Sequence, residues 1–207
     1  QVGHEVGEYF FNRFAGVNPA NGDALWYTKD GEITTEYREE DKVMTGKSYN
    51  TPWMGGFGTT LSWKGISLSA QFSWMADRWV FNNDRYFEEN NGNYSGYNQS
   101  KRLLYDRWKQ PGDVTDIPRY GVVAQQDDRF LENSSFIRLK NLTISYSFPK
   151  ELLRKTRFLS AVRIYLQGQN LLTFTDFTGL DPEYAGNVYI GQYPATRQYT
   201  MGIDITF

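Results

Sequence analysis

The sequence predicts an all-β chain whose antiparallel strands are of the transmembrane-barrel type. Three observations carry this. Near the end of the chain Tyr199, Met201, Ile203, Ile205 and Phe207 share one parity, and Gln198, Thr200, Gly202, Asp204 and Thr206 share the other. Period two places these sets on opposite faces of one strand, apolar on one side and polar on the other. A second alternating pair, Met54 to Trp74, turns at Lys64-Gly65 and holds no charge on its apolar face. Third, aromatic content is high at 17%, with 15 Tyr, 14 Phe and 6 Trp, which aromatic girdles, a carbohydrate-type binding surface or an aromatic-rich soluble core would each explain.

The elements follow in order. Val6 to Val17 is aromatic-rich (Tyr9, Phe10, Phe11, Phe14) and ends in the turn cluster Gly16 to Gly22. Ala24-Leu25-Trp26-Tyr27 before Lys29-Asp30-Gly31 predicts a small hairpin of its own. Glu36 to Lys42 is charged and predicts a solvated connection. In the Met54–Trp74 hairpin Phe57, Leu61, Leu68 and Phe72 fall on the apolar face, and Ser67, Ser69 and Gln71 on the polar one. From Ala76 to about Arg129 periodicity disappears into Asn, Gly and Tyr, with a short helix predicted between Gln99 and Lys109. A connection of this length is usually functional or disordered, and barrels place long loops at one end and short turns at the other.

Alternation returns at Ser134. Ile137 and Leu139 hold one parity and Leu142, Ile144, Tyr146 and Phe148 the other, so a bulge is predicted at Lys140-Asn141. Pro149 to Lys155 predicts a helical turn, Val162 to Phe174 a strand, and Gly179 to Tyr184 a loop before the terminal strand. The count is about five or six strands. The smallest barrels have about eight, so the sheet is expected to have two open edges. The chain opens on Gln1 without an initiator Met or signal segment, and is expected to be processed or a piece of a longer protein.

Composition narrows the chemistry. The chain has 207 residues and a net charge of -2, so no nucleic-acid field is implied. Cysteine is absent, which excludes disulfides, thiolate zinc sites and a cysteine nucleophile. Mean hydropathy is -0.61, and no apolar run approaches the ~20 residues of a spanning helix. The single His4 cannot make a multi-histidine metal site, and no G-x-S-x-G elbow is present. The carboxylates Glu39-Glu40-Asp41 and Asp127-Asp128 are expected to be solvated loop charge rather than a glycosidase pair or an EF-hand. No enzyme, cofactor or metal site is therefore expected. The loop aromatics Trp79, Tyr86, Tyr94, Tyr97, Tyr105 and Trp108 are candidate ligand contacts, because flat rings stack on sugars and pack on peptide side chains. Their alternatives are loop packing or contact with a covering partner.

Specific runs carry a family resemblance. Ser135 to Tyr146 (SFIRLKNLTISY), Val162 to Thr175 (VRIYLQGQNLLTFT), Gly179-Leu180-Asp181-Pro182-Glu183, Tyr193-Pro194 and the terminal Phe207 occur in this order. Gly16-Val17-Asn18-Pro19 and Pro52-Trp53-Met54-Gly55-Gly56-Phe57 precede them. Together they resemble the C-terminal barrel portion of SusC/RagA-type TonB-dependent outer-membrane transporters, across residues 1–207. The resemblance implies the last strands of a barrel of about 22 strands with long extracellular loops. It also implies nutrient import of oligosaccharides or peptides beneath a SusD-like surface lipoprotein, powered by TonB. No plug domain or TonB-contacting segment is found in this chain. Implied residue roles are lipid contact for Phe57, Leu61, Leu68, Phe72, Ile203 and Ile205, and an assembly signal at Phe207 read by the barrel assembly machinery. The other function class left open is a soluble, secreted β-rich carbohydrate-binding module.

Overall fold

The computed structural model describes residues 2–94, 96–156 and 158–207, with Thr156 described for its backbone only. In chain order the strands and helices are β1 (Glu8–Phe11), β2 (Arg13–Val17), β3 (Ala24–Tyr27), β4 (Ile33–Thr34), β5 (Val43–Ser48), β6 (Trp53–Trp63), β7 (Ile66–Ala76), β8 (Trp79–Asn82), α1 (Asn83–Glu88), α2 (Arg102–Tyr105), β9 (Leu131–Asn133), β10 (Phe136–Ser147), α3 (Lys150–Leu153), β11 (Ala161–Phe174), β12 (Val188–Tyr189) and β13 (Gln198–Thr206). They divide into two compact units.

One unit comprises Pro52–Asp77, Ser135–Asp176 and Tyr193–Phe207. It is a single antiparallel sheet in the order β13-β11-β10-β7-β6, so β6 and β13 are its free edges. The expected hairpin turns at Lys64-Gly65, both with positive φ. Register carries the apolar set across every strand, with Phe57 opposite Phe72, Leu61 opposite Leu68, Leu68 opposite Ile144, Ile144 opposite Leu166, and Leu166 opposite Met201. The reverse face is polar, mostly hydroxyl and amide, with Thr60 opposite Ser69, Ser69 opposite Thr143, Thr143 opposite Gln167, and Gln167 opposite Thr200, and it also carries Arg138 and the Arg163–Asp204 pair. A bulge falls between Leu139 and Asn141 on both sides of β10, as the change of parity predicts. It keeps Ile137 and Leu139 on the apolar face. At Gly202 an added Cβ would collide with the Tyr165 ring opposite, so only glycine lets that ring lie across the strand.

The apolar face is bare. Phe57 is 58% exposed, Leu61 61%, Ile203 63% and Ile205 50%, while Leu68 and Phe72 are half-buried beside neighbouring strands. No described helix is long and apolar enough to cross a membrane.

The other unit comprises Gln1–Thr51, Arg78–Ser134 and Phe177–Gln192. The predicted hairpin appears as β2-β3-β4, β1 pairs with β5, and β8 lies between β9 and β12. Tyr9, Phe81, Ala124, Phe130 and Leu131 form one core, and Val80, Phe177 and Tyr189 another. The segment after Ala76 is therefore not a bare loop. Its aromatic and branched residues close around a core, and the helix expected over 99–109 shortens to α2, ending before Pro111. Two acidic clusters also depart from the expectation of solvated charge. Asp127 is fully buried and accepts the Trp26 indole N–H at 2.9 Å. Asp41 is buried and accepts the Lys29 backbone N–H at 3.0 Å. Asp127 satisfies a buried indole N–H and Asp41 a backbone N–H, so both carboxylates are part of the packed unit.

Candidate functional site: an acidic, aromatic-walled hollow

Asn82 closes β8 and opens α1, its side-chain oxygen accepting the Arg85 N–H at 3.1 Å. That cap fixes the phase of α1, so Arg85 and Glu89 meet one turn apart at 3.1 Å. The Arg85 guanidinium also reaches Glu132 at 3.2 Å and Asp116 at 3.4 Å. Arg102 on α2 binds Glu89 and Asp116, each at 2.7 Å. Glu132 in turn accepts the Thr178 backbone N–H at 3.0 Å. Two guanidiniums thus tie α1, α2, β9 and the 178 turn into one framework.

This framework lines a cavity of about 590 Å3, with Asp84, Glu88, Ser100 and Tyr189 on its wall. A second cavity of about 600 Å3 lies on the other side of the Asp84–Glu88 rim, walled by Phe87, Tyr94 and Tyr97. The Phe87 and Tyr94 rings are 5.0 Å apart and inclined by 45°. Asp84 is held in place, both its oxygens accepting the Gly191 N–H at 3.0 and 2.9 Å. The Glu88 carboxylate has no partner among the described residues.

Charge is uneven. Burial pushes the Glu88 carboxyl up, and the nearby Asp84 and Glu89 add to this. Burial also pushes Asp116 up, but the hydrogen bonds and charge of Arg102, with Arg85 behind it, outweigh burial and hold Asp116 below its usual value. Both arginines are committed to carboxylates, so the rim shows negative charge to an incoming group. Among the described residues no group of three His, Asp or Glu could hold a metal ion.

The aromatic candidates separate. Tyr94 and Tyr97 line the second cavity, and Tyr97 is 75% exposed. Tyr105 is exposed in a different hollow of about 670 Å3. Trp79 packs on the core with the Lys47 ammonium 4.4 Å from its ring, and Tyr86 meets Phe130 at 5.5 Å. Trp108 covers Gly22 and donates its indole N–H to Pro19 O at 3.1 Å. These last three hold the unit together. Sequence reasoning missed Asp84, Arg85, Phe87 and Glu88. The signal was there: Asn82 as a cap followed by Arg85 and Glu89 one turn apart.

No known protein-family profile matches the chain. Individual proteins do. The solved RagAB peptide transporter superimposes with a TM-score of 0.90 at 38% identity, over 97% of this chain and 23% of that one. The RagAB peptide importer in its 'open-open' state gives 0.89 at 39%, over 97% and 22%. TonB-dependent receptor P26 of Formosa agariphila is 30% identical over 196 residues, covering 86% of this chain and 19% of the relative. The chain matches the C-terminal region of SusC/RagA-type TonB-dependent transporters. SusC of Bacteroides thetaiotaomicron is 34% identical over 92 residues, covering 42% of this chain and 9% of that receptor. The chain thus spans less than a quarter of the SusC/RagA-type proteins it matches. The all-β, antiparallel fold expected from alternation is the fold of these transporters over this stretch, with the barrel left unclosed here.

Proposed function

We propose that this chain is wall and outer loops of an outer-membrane, TonB-dependent importer that takes up peptides or oligosaccharides with a SusD-like surface lipoprotein. One observation carries it: a sheet bare and apolar on one face and polar on the other, in a chain that superimposes on the RagAB transporter with a TM-score of 0.90. An apolar outer face solvated by lipid and a wet lumen is the arrangement such barrels share. Phe57, Leu61, Leu68, Phe72, Ile203 and Ile205 face lipid in this reading. TonB contact belongs to a part of the parent protein outside this chain. The relatives are named as receptors and transporters, which supports transport over enzymatic work. The experiment is fractionation and uptake with the full-length parent. It should be recovered from the outer membrane with heat-modifiable migration, and its loss should reduce uptake of peptides or oligosaccharides. Recovery in the soluble secreted fraction would return the carbohydrate-binding-module reading.

A further inference from the structure

We propose that the hollow beside α1 is a subsite for an organic cation, the ammonium or guanidinium of a lysine or arginine side chain in a peptide cargo. The inference rests on the import reading and makes it more specific. The hollow of about 600 Å3 is open to solvent and is bordered by Phe87, Tyr94 and Tyr97 and by the Asp84–Glu88 rim. That volume is in the range of small-ligand pockets. Aromatic faces attract a cation and also cover the aliphatic stem behind it, while a carboxylate at the rim takes the charged head.

The alternatives fit less well. An anion would need a free guanidinium, but Arg85 and Arg102 are held by Glu89, Asp116 and Glu132. A neutral sugar could stack on these rings and use Asn98 and the tyrosine hydroxyls, but it brings no positive charge to the two rim carboxylates. Asp84 is fixed by the Gly191 N–H at 2.9 Å, so it contributes charge from a set position. Glu88 is left to make the direct contact. Phe87 and Tyr97 are 43% and 75% exposed, as rings awaiting a cover would be.

The test uses the full-length parent purified with its lipoprotein partner and three peptides of one sequence carrying lysine, acetyl-lysine or norleucine at one position. The lysine peptide should bind about five- to tenfold more tightly than the other two, the span of one ion pair plus one cation–π contact. In Glu88→Gln that ratio should fall to about threefold, the share left to the cation–π contact, and in Tyr97→Ala it should fall about threefold. A ratio unchanged in Glu88→Gln overturns the subsite, as does equal binding of all three peptides, and either result leaves import standing. Loss of the lipoprotein in Glu88→Gln with the ratio intact assigns the rim to the lid and overturns the inference. Failure to bind or take up any peptide removes peptide cargo altogether.

Discussion

Leu68 and Ser69 are neighbours in sequence and opposites in environment. Leu68 pairs across the sheet with Leu61 and Ile144, and Ser69 with Thr60 and Thr143. Introduced singly into the full-length parent, a cysteine at 69 should react with a water-soluble maleimide and one at 68 should be spared. The reverse pattern would turn the sheet inside out. Depth refines the cost of charge on the apolar face. Leu68 is the third residue of β7 and Phe72 the seventh of 11. Phe72→Arg should therefore cost about 2–4 kcal/mol, and Leu68→Arg, near the turn, nearer 0–1 kcal/mol. Refolding into lipid with denaturant titration measures both, and equal costs would place the strands at a different height. Phe207 ends the alternating run after β13. Its deletion should lower the amount of parent in the outer membrane, and an unchanged level with unchanged heat-modifiable migration would refute an assembly role.

At the scale of elements, α1 and α2 lean on charge as well as packing: no side chain of α1 is fully buried, although Tyr86 packs against the core, and α2 buries Leu103 alone. Asp116 has its carboxyl held down by Arg102 against the effect of burial. A folded value below the unfolded one, about 3.9, means the stabilisation is fully present above about pH 4 and is lost as pH falls through the folded value. Amide exchange in residues 83–116 should accelerate below about pH 4, after correction for intrinsic rates, and Arg102→Gln should flatten that dependence. Glu88 runs the other way. Its raised value means ionisation opposes folding, so Glu88→Gln should leave the local fold intact or firmer.

The long strands were legible because period two persists over β6, β7, β10, β11 and β13, and even the bulge at Lys140 shows as a slip of parity. The framework around α1 was not. Its strands are two to four residues long and its partners are far apart in sequence, with Glu132 meeting Thr178 and Trp26 meeting Asp127. No local pattern records such pairs. The polarity that marked residues 76–129 as loop is the hydrogen-bonding inventory of a folded piece, with Asn82, Asn90 and Asn91 all buried.

For the whole molecule, register puts Trp53 beside Ala76, Met75 beside Phe136 and Ile137 beside Phe174, all at one end of the sheet. The links at Lys64-Gly65 and 148–160 are at the other end. In a barrel that asymmetry sends the long connections outward. An epitope placed at Asn91 would break a buried side chain donating to Pro118 O at 3.2 Å and Val122 O at 3.0 Å. Val114, 92% exposed, is the better position. An epitope there should be reached by antibody on intact cells, and detection only after permeabilisation would invert the topology. The unit holding Asp84 and Glu88 is assembled from three separated stretches of chain, and its bonds cross between them, as from Trp26 to Asp127 and from Asp84 to Gly191. Such a unit changes as a set. On the import reading, a relative could not inherit a new specificity by exchanging one loop, since a foreign 78–134 that lacked an acceptor at 127 would leave the Trp26 indole N–H without its partner. On the same reading, gene exchange would have to carry all three stretches at once, whereas single substitutions at the rim, as at 88, or at the aromatic wall, as at 97, would alter the hollow without disturbing these bonds.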